Sequence, residues 1–67
     1  MREPDLADMI EEVKREIQLR ETFYAERVRQ RRMNKARADW QIDVMRAVLA
    51  KLIELNGGRD SAPGILL

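Results

Sequence analysis

Between Asn34 and Asn56 the apolar residues recur at helical spacing, with Ala38, Ile42, Met45, Leu49 and Leu52 on one line at about 100° per residue. A second apolar line, Trp40, Val44, Ala47, Val48 and Leu55, runs beside the first and leaves Asp39, Asp43, Arg46 and Glu54 as the polar strip. A helix with one apolar stripe needs one partner surface, and this one needs about two. Earlier in the chain Leu6, Ile10, Val13, Ile17, Tyr24 and Val28 lie within about 60° of one another, forming a single core-facing stripe. Where that stripe needs an apolar residue between Ile17 and Tyr24 the chain has Arg20 or Glu21, and a snorkelling Arg20 suits the position. Leu19 and Phe23 project roughly 100° or more from the stripe. With Met9 they either widen the buried face or offer an apolar patch to a partner protein.

The ends of these patterns set the predicted elements. Asp5 is placed to cap a first helix that carries Asp8 in its opening turn, and the helix runs over about residues 5–30. Along it Glu11 with Arg15, and Glu16 with Arg20, have the spacing of favourable ion pairs. From Val28 to Ala38 the stripe stops, and Arg31 and Lys35 stand where it would continue. The break predicts a turn that has neither glycine nor proline, with Asn34 either left-handed or capping the next helix. A second helix over about residues 35–56 ends at Asn56-Gly57-Gly58.

The predicted fold is therefore all-α: an antiparallel two-helix hairpin over residues 1–56, followed by a flexible tail over residues 57–67. An unbroken helix of roughly 78 Å is the alternative, but a hairpin shields more apolar surface. The tail closes on Ile65, Leu66 and Leu67, which either dock, bind a partner or stay disordered. The second apolar line remains without a companion inside the chain. A homodimer resembling a four-helix bundle, with Trp40, Val44, Ala47, Val48 and Leu55 at the interface, supplies one.

Composition strengthens the case for association. A chain of 67 residues buries only about 60% of its unfolded surface. With no cysteine and no histidine it has neither disulfides nor the usual nitrogen and sulfur metal ligands. Pairing of chains is the remaining route to a larger core. The same absences leave no ordinary nucleophile and base, and the one serine, Ser61, stands alone in the tail. Gly57-Gly58 lacks the downstream Lys and Ser/Thr of a phosphate cradle. No catalytic residue, metal or cofactor is expected, and the leading reading is a non-enzymatic protein that acts by protein–protein interaction.

Charge supplies the alternative. The net charge of +1 implies no bulk attraction to nucleic acid or membrane, and no apolar run approaches the roughly 18 residues of a membrane span. Acidic residues from Glu3 onward do not suit a signal peptide, so a soluble cytoplasmic protein is expected. Locally, however, Arg27, Arg29, Arg31, Arg32, Lys35 and Arg37 follow one another with no acidic residue before Ala38. Such a basic turn is either a solvated helix end well placed for the dipole or a contact for phosphates or an acidic partner. Nucleic-acid binding there would be largely sequence-independent, because no recognition-helix motif accompanies the cluster.

The run Arg15-Glu16-Ile17, Phe23-Tyr24, Val28, Arg32-Met33, Ala38-Asp39, Ile42, Met45 and Ala47-Val48 resembles a group of short, uncharacterised helical proteins encoded by bacteriophages and prophages. The likeness covers about half the chain and consists mostly of helical packing positions. Two positions depart from the pattern: Ala25 stands where the group leads one to expect proline, and Arg31 where it leads one to expect glycine. The resemblance implies a phage origin and a bacterial cytoplasm as the setting, and it implies no activity.

Overall fold

Asp5 decides where the first helix starts. In the computed structural model, which describes residues 2–60, Asp5 is extended (φ −107°, ψ −178°) and its carboxylate accepts the Asp8 N–H at 2.9 Å. The Asp8 carboxylate returns the contact by accepting the Asp5 N–H at 3.0 Å, closing a capping box with aspartate in the place usually held by glutamate. From there α1 runs over Leu6–Arg29. Ile10 and Ile17 on its stripe are buried, and Leu6, Val13, Tyr24 and Val28 are half-buried.

The turn that follows is made without glycine. Arg31 adopts φ 60°, its N–H donates to the Val28 carbonyl at 3.0 Å, and the Arg32 N–H donates to the Arg27 carbonyl at 2.8 Å. Those two bonds form a Schellman motif with an arginine at the left-handed position. Asn34, for which either a left-handed or a capping role was open, takes the capping one: it is extended and its side chain accepts the Arg37 N–H at 3.1 Å. The chain then enters α2, Lys35–Leu55. Its C-terminus repeats the motif in the usual form, with Gly57 at φ 73°, Gly57 N–H on the Glu54 carbonyl at 3.2 Å and Gly58 N–H on the Ile53 carbonyl at 2.8 Å.

The two helices pack on each other as a hairpin, and the unbroken-helix alternative is not what the chain adopts. Ala38 is buried, and Ile42, Met45, Leu49 and Leu52 are half-buried along the seam that faces α1. Among the described residues only Ile10, Ile17 and Ala38 are buried apolar groups, and of these Ile10 alone is fully buried. No helix there is long and apolar enough to cross a membrane. The Ile65–Leu67 stretch and Ser61 lie outside the described residues.

Ion pairs decorate the outside. Glu16 and Arg20 pair as expected at 2.9 Å, whereas the expected Glu11–Arg15 pair gives way to Glu11–Lys14 at 3.5 Å and Glu12–Arg15 at 3.9 Å. Spacings of three and four are near-equivalent on a helix surface, and exposed pairs of either kind are worth little. Arg20 is the snorkelling residue the stripe called for: it is partly buried, holds Glu16, and sets its guanidinium 6.0 Å from the centre of the Tyr24 ring.

Candidate association surface

Because α2 carries apolar residues on two sides and α1 covers one, the other side is left uncovered. Trp40 is 66% exposed and Leu55 62%, and Val44, Ala47 and Val48 between them are exposed as well. All five residues named from the sequence as an interface thus share one outward face. Its middle is a shallow depression of about 460 Å³ lined by Trp40, Asp43, Val44, Ala47, Val48, Lys51 and Leu52. An indole open to water beside two valines is an unusual surface for a chain with so small a core.

Leu19 and Phe23 form a second, smaller exposed pair on α1, with Phe23 56% exposed. Around them Glu16, Arg20, Tyr24 and Arg27 line a recess of about 260 Å³. This patch is apolar at its middle and charged at its edge. It is not covered by α2.

The basic residues differ in their surroundings. Arg29 pairs with Glu26, and Lys35 pairs with Asp39 at 2.9 Å, which raises the Lys35 pKa through that hydrogen bond and the adjacent charge. Arg27 lines the Phe23 recess, and Lys35 lines the groove between the helices. Arg27, Arg31, Arg32 and Arg37 are exposed and carry no ion pair to a described residue. A continuous basic run in sequence is therefore spread over a helix end, a turn and a helix start.

Sequence reasoning missed two features. The groove between the helices holds about 610 Å³ and is lined by Tyr24, Ala25, Val28, Ala38 and Ile42 together with charged Glu21, Lys35, Asp39, Asp43 and Arg46. Across it Arg46 of α2 reaches Glu21 of α1, the one ion pair that ties the helices together among the described residues. A pairing 25 positions apart has no signature in local spacing. The second omission is Lys51, which belongs to the outer face of α2; its place four after Ala47 and seven after Val44 could have shown this.

Among the described residues no three metal-ligating side chains gather. Asp8, the one carboxyl with a large shift, is held well below the usual carboxylate range by its hydrogen bond from Arg2 and by the Asp5 backbone N–H, which is helix-end chemistry. No family model, curated protein or solved structure matches the chain.

Proposed function

We propose that the chain is a non-enzymatic interaction protein that works as a homodimer, in which the outer face of α2 is closed by a second copy to give a four-helix bundle. The observation that carries this reading is the exposure of Trp40, Val44, Ala47, Val48 and Leu55 together on one side of a helix whose other side is already packed. Pairing of two such faces gives each hairpin the core it lacks alone. The Leu19 and Phe23 patch then remains on the outside of the dimer for a different protein. In keeping with the resemblance to phage-encoded proteins, the proposed setting is a bacterial cytoplasm.

Light scattering behind a sizing column tests the reading directly. The unaltered chain should elute as a dimer, and Val44→Glu or Val48→Glu should yield monomer or unfolded chain. A well-folded dimer that persists in both variants refutes this interface. Phe23→Ala should keep the dimer.

One observation favours a second reading, in which the turn contacts phosphates of nucleic acid: Arg27, Arg31, Arg32 and Arg37 stand without carboxylate partners among the described residues. On that reading, binding to duplex DNA falls steeply between low and moderate salt and vanishes in Arg31→Glu/Arg32→Glu. Retained binding in that variant removes it.

A further inference from the structure

The uncovered face of α2 has a charge on its centre line. Trp40, Val44, Ala47, Lys51 and Leu55 run down one stripe with spacings of four, three, four and four, so Lys51 is the single ionic group within it. Its own pairing is loose: Glu54 is 3.5 Å away, and both side chains are mostly exposed. Asp43 stands at the border of the same depression and is 3.7 Å from Arg46, an equally loose contact. Both charges are therefore available to a partner.

A lysine in the middle of a helix seam constrains how two copies can meet. In a parallel pair each residue sits level with its own counterpart, so Lys51 faces Lys51 and Asp43 lies level with Asp43. Like charges opposed in a desolvated seam cost affinity. In an antiparallel pair with the two-fold axis between Val44 and Ala47, each of those residues lies opposite the other's counterpart. Lys51 is four residues beyond Ala47, and Trp40 is four residues before Val44, so Lys51 comes level with Trp40 of the other copy. Asp43, one residue before Val44, borders that position. An indole face and a carboxylate are the two groups that best receive an ammonium.

We propose that two copies pair antiparallel through α2, with the Lys51 ammonium of each seated against the Trp40 ring and the Asp43 carboxylate of the other. This rests on the pairing reading given above, and it adds direction, register and a pair of reciprocal contacts. The apolar residues drive association; the charges choose its orientation.

The test uses the full chain and reads dissociation constants by sedimentation equilibrium. Asp43→Lys and Lys51→Asp should each weaken the dimer about tenfold, since each change places like charges opposite one another twice. The combined Asp43→Lys/Lys51→Asp chain should pair more tightly than either single variant, because the swap restores opposite charges only if the helices run antiparallel. No recovery in the double variant overturns the proposal. Cysteine chemistry checks it independently, since the chain has none of its own. Antiparallel pairing holds the two Lys51 positions roughly 16 Å apart, too far for a disulfide, so Lys51→Cys should stay reduced with itself. Mixed with Asp43→Cys under oxidation it should form the cross-linked heterodimer. Ready Lys51→Cys self-linkage in a chain that is still dimeric overturns the orientation and leaves pairing intact. An unaltered chain that stays monomeric at high concentration overturns the pairing itself, and this proposal with it.

Discussion

The two apolar sides of α2 are built from the same kinds of residue and meet different fates. On the inner side Ala38 is buried and Ile42, Met45, Leu49 and Leu52 are half-buried against α1. On the outer side Trp40, Val44, Ala47, Val48 and Leu55 face water. Residue type does not separate the sides; the supply of partner surface does. The stripe of α1 is used up by one helix, so a helix greasy on two sides is half finished in a single chain. The difference teaches where stability and association should divide: the inner seam holds the hairpin, and on the proposed pairing the outer face governs how copies meet.

Breaking the inner seam should have the largest effect. Ile10 is fully buried, and truncating such a side chain to alanine costs about 2–5 kcal/mol. A single core in a chain this short rarely contributes more than about 3–5 kcal/mol, so Ile10→Ala should abolish most cooperative unfolding in a urea titration followed by circular dichroism. Trp40→Ala on the outer side should behave differently. Helix content at high protein concentration should survive, while the dimer dissociation constant rises about thirtyfold, as for a central aromatic anchor worth about 2 kcal/mol. If Trp40→Ala instead unfolds the chain at every concentration, the two sides are not separable and α2 is one continuous core.

The inner seam was legible in the sequence because helical period alone decides it: Ala38 through Leu52, and Leu6 through Val28, needed only the repeat of 3.6. The helix starts were legible too, since Asp5 and Asn34 are capping residues placed just before their stripes. The outer face was legible as a surplus, but Lys51 within it was not, because a polar residue on the seam adds nothing to an apolar period. The basic run was legible as composition, but its surroundings were not: a turn separates Arg27 from Lys35 and Arg37, Arg27 lines the Phe23 recess and Lys35 pairs with Asp39. The Glu21–Arg46 tie required the fold before it could be seen.

The helix ends sharpen the division further. Both helices stop in the same hydrogen-bonded motif, but Gly57 holds the left-handed position after α2 and Arg31 holds it after α1. A side chain at φ 60° carries a penalty of about 1 kcal/mol that glycine avoids. Arg31→Gly should therefore stabilise the hairpin by about 1 kcal/mol in urea unfolding. Because Arg31 is not on the outer face of α2, the dissociation constant of the folded dimer should not change. A shift in both would mean that the turn sets the geometry of the outer face, and the two faces would then be coupled through it.

The smallest expected effect concerns acid and the start of α1. The Asp8 carboxyl is held below its ordinary value of 3.8 chiefly by the hydrogen bond from Arg2, with the Asp5 N–H as the second donor. A carboxyl depressed in the folded state contributes stability that is complete above its unfolded value and is lost as pH falls toward the folded one. Asp8→Asn keeps an acceptor for the Asp5 N–H but removes the charge that Arg2 and the helix N-terminus attract. The melting temperatures of the two proteins should then differ by no more than a few degrees above about pH 5, and the gap should close as pH drops below 3.8. The Asp8 side chain is 37% exposed, and solvent screening keeps the effect small. It also lies on α1 and not on the outer face of α2, so self-association at neutral pH should be the same in both chains. A gap that persists into acid would assign the contribution of Asp8 to its hydrogen bond rather than its charge, and a changed dissociation constant would place the first turn of α1 within reach of the second copy.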